Sequence, residues 1–368
     1  MTMTSTSPLA ATGLSAATLR RIEALVIPVG ALVASALVFS VFLVALGKAP
    51  LEFFGLIWTG GFGSAFSVQN TLLRAAPLIL TGLAFAIPAR IGLTVIGAEG
   101  ALVLGGFMAA AVAIPLVTGG ITPVIGLPLM ALVAMLTGAV WIGIVGWLRH
   151  YRGVNETIAS LLMSYIAIAT MNFFVEGPLR DPASANKPST MPIGELYRVG
   201  PIPGTTVHWG LAAGLVLAVV LHILMTRTTF GFAARMTGGN VRAAQAQGLP
   251  VGALVVGCCA IAGAAAGLGG FFEVAAVQGQ ANASLVAGYG FTGILVAFLA
   301  RQNALAVVPV AILFGALAAS GGLIQRRMEM PDATILVLQG IVFVVLLTSE
   351  TLYGRLAFLQ PRRSGDRT

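Results

Sequence analysis

Charge is what this 368-residue sequence has least of. Asp, Glu, Lys and Arg together make up 9% of it, against about 25% in an ordinary soluble domain. No polar stretch is long enough to fold as a separate globular unit, which excludes a soluble enzyme on a membrane anchor. Lysine is reduced to Lys48 and Lys187. Neither lies in a G-x-x-x-x-G-K-[ST] loop, so the chain has no phosphate cradle of that type. The two cysteines, Cys258 and Cys259, are adjacent in an apolar run. Neighbouring helical positions point in different directions, so the pair reads as small packing residues rather than a disulfide or a metal site. His150, His208 and His222 are far apart and close to span ends, and read as interfacial side chains. Catalytic residues and metal ligands are therefore expected to be absent. The net charge of +8 does not indicate nucleic acid, because the basic residues are scattered between apolar runs.

Those runs dominate what is present. With 58% hydrophobic residues, the sequence reads as an all-α polytopic membrane protein of about ten (8–10) spans, some of them discontinuous. The spans fall near 25–46, 71–89, 93–117, 123–147 and 158–175, then 207–226, 251–276, 286–300, 304–322 and 334–350. The tail at 1–24 carries Arg20 and Arg21, and a second basic tail runs from 351 to 368. The first apolar run is too long for a signal-peptide core and reads as a retained span. A cytoplasmic N-terminus places thirteen Lys and Arg residues inside and seven outside, with both termini cytoplasmic. Arg326-Arg327 falls outside in this topology, and the 286–300 segment is short for a full crossing.

Glu99 stands between two glycines in Gly97-Ala98-Glu99-Gly100, at the mouth of a membrane-length segment. An ionisable group there is expensive and marks a functional site by default. The alternative is a wetted helix N-terminus, favoured by the helix dipole. Gly97 and Gly100 are expected to let the chain leave helical geometry, giving a broken or re-entrant approach. Gly153-Val154-Asn155-Glu156-Thr157 repeats the arrangement before another apolar run, with Asn155 a good N-cap and Glu156 in the first turn. The stretch 288–293 is a glycine-punctuated counterpart of 97–106 in the second half. Duplicated broken segments of this kind point to a transport site.

Gly263, Gly267, Gly269 and Gly270 form a small-residue patch suited to close helix packing. Glu273, one turn on, reads as wetted at the outer end of its span. The connection at 176–206 is Pro-rich and placed outside. That at 227–250 is placed inside, has three arginines and no acid, and holds a short helical core at 241–247. Asn240 is its N-cap and Gly248 its stop. A short helix held between glycines suits a partner's groove.

Together these stretches resemble the permease subunits of bacterial ATP-binding-cassette importers, in the branch serving nucleosides and simple sugars, related to the ribose and branched-chain amino acid permeases. The likeness rests on Ile96-Gly97-Ala98-Glu99-Gly100, Gly153-Val154-Asn155-Glu156, Gly177-Pro178, Gly290-Phe291-Thr292-Gly293 and Leu338-Gln339-Gly340. It also rests on Arg235, Gly238, Asn240, Ala243, Ala244 and Gly248 in the cytoplasmic connection. It covers roughly residues 70 to 350. Three positions depart from the pattern: Val95 stands where Asn is usual, Ala101 where Gln is usual, and Val241 where Pro is usual.

The resemblance implies an inner-membrane transport subunit, not an enzyme, that moves a nucleoside, nucleobase or related sugar-like solute inward. It implies pairing with a second permease subunit, delivery by an extracytoplasmic binding protein, and two cytoplasmic ATPase subunits that hold the ATP and Mg, with no cofactor on this chain. The expected pathway residues are Gly97, Glu99, Gly100, Asn155 and Glu156; the 227–250 loop is expected to couple to the ATPases. The competing reading is an ion-coupled secondary transporter, which explains the spans and Glu99 but does not require that loop.

Overall fold

The computed structural model describes residues 16–184, 186–331 and 333–350. The tail expected at 351–368 and the first fifteen residues of the tail expected at 1–24 lie outside these, as do Arg355, Arg362, Arg363 and Arg367, which the sequence places inside. The chain divides into two compact units, one of residues 1–50 and 336–368, the other of residues 51–335. The first unit holds α1 (Ala16–Ala45), with an apolar segment at Val26–Ala45, and most of α13 (Ala333–Glu350).

The second unit runs α2 (Pro50–Phe62), α3 (Ala65–Ala89), α4 (Ala98–Thr118), α5 (Pro123–Arg152), α6 (Glu156–Glu176), α7 (Gly210–Arg227), α8 (Thr229–Gly239), α9 (Val241–Ala246), α10 (Val251–Phe272), α11 (Tyr289–Leu299) and α12 (Ala304–Met328). Among the described residues eight helices are long and apolar enough to cross a membrane, and two shorter apolar segments, Ala283–Leu299 and Ala333–Ser349, bring the number to ten. The chain is a multi-pass membrane protein.

Helix α2 was not expected. At thirteen residues its apolar run is too short for a crossing, and it is punctuated by Gly60 and Gly61. They are there for contact: a side-chain carbon at Gly61 would lie 2.8 Å from Ala316 on α12, and one at Gly60 2.9 Å from Ser320. The Thr71 hydroxyl donates to the Gly61 carbonyl at 2.8 Å. Ser64 then caps α3 by accepting from the Ser67 N–H at 3.0 Å, which starts that helix six residues earlier than expected.

The core is a seam of small residues between α10, α5 and α4. Gly263 lies directly on Gly138, Gly267 on Ala134 and Gly105, and Gly270 on Leu102 and Gly106. Lipid offers helices no hydrophobic reason to associate, so backbone-to-backbone van der Waals contact of this kind does the holding. Cys258 and Cys259 are buried free thiols in the same helix.

Helix α10 does not stop cleanly. It widens into a π segment, Glu273–Gln278, closes on left-handed Gly279, and leads through a 3-10 turn at Ala283–Leu285 to Gly288. Hydrocarbon cannot satisfy such backbone, so protein must. The 177–209 connection does so. Val199, Ile193 and Thr190 donate their N–H groups to the carbonyls of Ala275, Gly279 and Ala281 at 2.8, 3.0 and 2.9 Å. The connection is itself pinned by buried Tyr197, whose hydroxyl donates to Leu116 at 3.1 Å and also to Ile121. Helix α11, eleven residues long, spans about 16 Å, half of a hydrocarbon core of about 30 Å. The segment at 286–300 is therefore a half-helix with an irregular approach.

Candidate functional site

The chain between α3 and α4 is extended, and it runs along the first turns of α6. The Thr94 N–H donates to Glu156 Oε1 at 3.4 Å, the Thr157 hydroxyl to the Thr94 carbonyl at 2.8 Å, and the Ile96 N–H to Ser160 Oγ at 2.9 Å. Helix α4 begins only after this run. Gly97 has an ordinary φ of −80°, which corrects the expectation that it frees the backbone. What Gly97 and Gly100 supply is room. A side-chain carbon at Gly97 would lie 2.5 Å from Ile142 on α5, and one at Gly100 2.5 Å from the Ser164 backbone on α6.

Glu99, in the first turn of α4, is 0% exposed. Its Oε1 accepts from the Gly288 N–H at 2.8 Å and its Oε2 from the Gly290 N–H at 2.6 Å. These donors belong to the N-terminus of α11, where the helix itself leaves N–H groups without partners. A carboxylate there suits both the hydrogen bonds and the dipole. At the other end of α11, Arg90 Nε donates to the Gln302 carbonyl at 2.9 Å, beside Arg301 and Gln302 with φ of +50° and +58°. One short connection thus sets an anion at the start of the half-helix and a cation at its end. The Thr81 hydroxyl adds a bond to the Tyr289 carbonyl at 2.9 Å. Gly290 leaves no gap: a side-chain carbon would lie 2.5 Å from Glu99 Cα.

Glu99 is therefore not a wetted cap of its own helix but the dry cap of another. The two glycine-punctuated stretches matched from the sequence are the ones the fold brings together. Gly153, Asn155 and Glu156 serve a different junction. Gly153 ends α5 at φ +67°, and Asn155 caps α6 by accepting from the Ile158 N–H at 3.0 Å. Glu156 lies 3.2 Å from Arg149 Nε. Val95 and Ala101, the two departures near Glu99, are both buried.

The 227–250 connection forms two helices. The short one expected at 241–247 is α9, with Asn240 accepting from the Ala243 N–H at 3.0 Å and Gly248 leaving it at φ +77°. Ala244 is buried and Ala243 exposed, so α9 is anchored on one side and open on the other. Helix α8 was not anticipated; Thr228 begins it by accepting from the Gly231 N–H at 3.3 Å. The Arg235 guanidinium donates to the Met225 carbonyl. Gly238 lies on the α3–α4 connection, where a side-chain carbon would be 2.5 Å from the Arg90 carbonyl. Burial first, and then the charge of Arg235, push Arg90 below the usual arginine value. A cleft of about 370 Å³ separates α8 and α9 from the ends of α5 and α10, with Gly92, Arg149, Thr237 and Asn240 on its walls.

Three contributors were not singled out from sequence. Arg90 served only as a topology marker. Glu273, expected to be wet, is 5% exposed at the start of the π segment, because α10 is wrapped there by α3 and α4. His208, read as interfacial, is 4% exposed. Its Nδ1 accepts from the Gly210 N–H at 3.0 Å and its ring stacks on Phe272. Burial lowers its pKa from 6.5, so at acid pH the unfolded chain takes up a proton that the folded chain refuses. Its contribution to stability is full above the unfolded value and is lost as pH falls below it. The unfolding midpoint of the purified protein is expected to drop between about pH 7 and 5, and His208→Asn to flatten that slope.

Residues 67–347 match the family described as branched-chain amino acid transport system / permease component. The glucose ABC transporter permease protein TsgB13 of Haloferax volcanii is 34% identical over 88% of this chain and 87% of its own. The guanosine ABC transporter permease protein NupP of Bacillus subtilis is 31% identical over 81% and 86%. The nucleoside ABC transporter permease protein NupB of Lactococcus lactis is 26% identical over 87% and 90%.

Proposed function

The chain belongs to this family of transport-system permease components, and from that premise we propose that it carries a neutral, hydroxyl-rich solute, a nucleoside or a simple sugar, into the cell. The relatives named for glucose, guanosine and nucleosides support that solute class. The chain works with a second permease subunit, an extracytoplasmic binding protein and two cytoplasmic ATP-binding subunits, which hold the ATP and Mg.

The observation that carries the mechanism is the clamp on α11. Its two ends are held by Glu99 and Arg90, and the Arg90 turn is in turn touched by Gly238 of α8. A push on the exposed side of α9 reaches α8, then the Arg90–Gly92 turn, then a half-helix partway through the membrane. Arg235, Gly238, Asn240, Ala243, Ala244 and Gly248 form the coupling surface in this reading. Gly97 and Gly100 seat α4, Glu99 holds the gate helix, and Asn155 with Glu156 fixes the approach on its cytoplasmic side. Glu99 thus borders the pathway by positioning α11, its oxygens already engaged by backbone N–H groups.

The test is uptake of labelled guanosine and glucose into proteoliposomes holding the full complex. Uptake of one of them is expected to require ATP, to survive an ionophore, and to be lost with Ala243→Trp together with ATPase co-purification. ATP-independent uptake that collapses with the ionophore would establish a secondary transporter instead.

A further inference from the structure

The cytoplasmic end of α5 carries side chains that neither the clamp on α11 nor the coupling surface uses. Along the membrane-spanning part of this helix the outward side chains are Leu129, Leu132, Leu136, Val140 and Ile144, each 38–61% exposed. Steps of three and four residues place them on one stripe. Trp147 and Tyr151, 44% and 59% exposed, continue that stripe at its inner end. From Leu129 to Trp147 the helix rises about 27 Å, close to a hydrocarbon core of about 30 Å. The stripe is an apolar face of lipid length, ended by the two residue types that favour the membrane–water boundary.

Cationic groups are packed onto that end. The Arg152 guanidinium lies 5.8 Å from the centre of the Trp147 ring, a cation–π distance. The Trp147 and Tyr151 rings are 5.9 Å apart, and His150 meets Tyr151 edge to face at 4.7 Å. Gly252 of α10 is the floor beneath them: a side-chain carbon there would lie 2.8 Å from both the Tyr151 hydroxyl and His150 Nε2. The acid of this turn, Glu156, is engaged by Arg149. Among the described residues Arg152 pairs with no acid, and the Trp147 N–H and the Tyr151 hydroxyl make no hydrogen bond. The C-terminal carbonyls of α5 account for basic side chains in its last turn. They do not account for an indole and a phenol on the lipid side of it.

We infer that Trp147, Tyr151 and Arg152 form a binding site for an anionic phospholipid of the inner leaflet, its chains along the α5 stripe and its phosphate against the guanidinium. The indole N–H and the guanidinium only donate, and the phenol can donate as well. Phosphodiester oxygens are charged acceptors, so they complement the set in hydrogen bonding and in charge. A headgroup amine would bring a second cation against Arg152, which favours lipids whose headgroup carries no charge beyond the phosphate. Arg149 and His150, on the same turn, line the cleft that faces α8 and α9. The lipid therefore steadies the wall against which the coupling helices move, whichever solute is carried.

The experiment places the full complex in vesicles that mix dioleoylphosphatidylglycerol with dioleoylphosphatidylcholine, extracts it in mild detergent and weighs the retained lipid by mass spectrometry. The wild type is expected to keep the phosphatidylglycerol in preference to the phosphatidylcholine. Arg152→Gln is expected to lower that preference about fivefold, the scale of one arginine at a charged membrane surface. Arg152→Lys, which keeps the charge, is expected to recover most of it. Arg152 is exposed, so its substitution leaves folding and co-purification with the ATPase intact. Equal preference in the wild type and Arg152→Gln overturns the site. Inorganic phosphate is expected not to release the lipid; release would make this a site for free phosphate and overturn the assignment to a lipid. A photoreactive benzoylphenylalanine in place of Val140 is expected to label lipid, and labelling of the second permease subunit in its stead would overturn the proposal.

Discussion

Replacing Glu99 by alanine is expected to abolish ATP-driven uptake and to destabilise the protein by about 2–6 kcal/mol. The magnitude follows from what is left behind. The N–H groups of Gly288 and Gly290 each lose a charged acceptor, at 2.8 and 2.6 Å, the first in a part-buried and the second in a buried position. Each buried donor so stranded costs about 1–3 kcal/mol. Glu99→Gln separates the two effects. It keeps the volume and one carbonyl acceptor, but turns an NH₂ toward an N–H donor and removes the anion from the head of α11. Stability should fall less than with alanine, while uptake still drops by at least about tenfold, since a tenfold effect corresponds to only about 1.4 kcal/mol. Unfolding in detergent and uptake in proteoliposomes measure the two quantities. Full uptake by Glu99→Gln would mean that the charge is dispensable and that the carboxylate is merely a spacer.

A methyl group at Gly238 is expected to uncouple ATP hydrolysis from transport. The new carbon would lie 2.5 Å from the Arg90 carbonyl and 2.9 Å from Ile91 Cα, both backbone atoms that cannot swing aside. Either α8 lifts or the Arg90 turn shifts, and a shift there breaks the 2.9 Å bond to Gln302 that holds the far end of α11. Overpacking of this kind costs about 1–3 kcal/mol. Solute moved per ATP hydrolysed should fall about tenfold, with the complex still assembled. The adjacent residue is the control: a side-chain carbon at Gly239 meets nothing within 4 Å, so Gly239→Ala should couple normally. Equal behaviour of the two variants would remove the Gly238–Arg90 contact from the transmission route.

Much of this was legible in the residues themselves. The apolar runs marked the crossings because hydropathy over about twenty residues is a strong signal. Asn240 and Gly248 bounded α9 because capping chemistry is local. The likeness between 97–106 and 288–293 picked out two segments that the fold brings into contact through Glu99. What the residues did not state was which partner each glycine serves. Gly97 looks like a hinge in sequence, yet it is a flat surface for Ile142. Glu99 and Glu156 look alike, each after a glycine and before a helix, and only the fold separates the cap of a distant half-helix from the cap region of its own. Glu273 looked wet because α10 was expected to end there; the π segment carries the chain on beneath the outer connection. Long-range backbone acceptors, such as Gln302 for Arg90, leave no local trace at all.

The cap on α11 also bears on how the protein is made. Glu99 and its partner N–H groups are separated by 189 and 191 positions in the chain. At about 5–20 residues per second of synthesis, the carboxylate waits roughly 10–40 s before its partners exist. During that interval α4 must be stored with an unpaired acid at its head, and when α11 arrives it has too few apolar residues to partition into lipid by itself. Its insertion is thus an act of docking onto finished protein rather than of partitioning. A nascent chain truncated before Gly288 should therefore remain exposed to quality-control proteases, however many of its apolar helices are already in the bilayer.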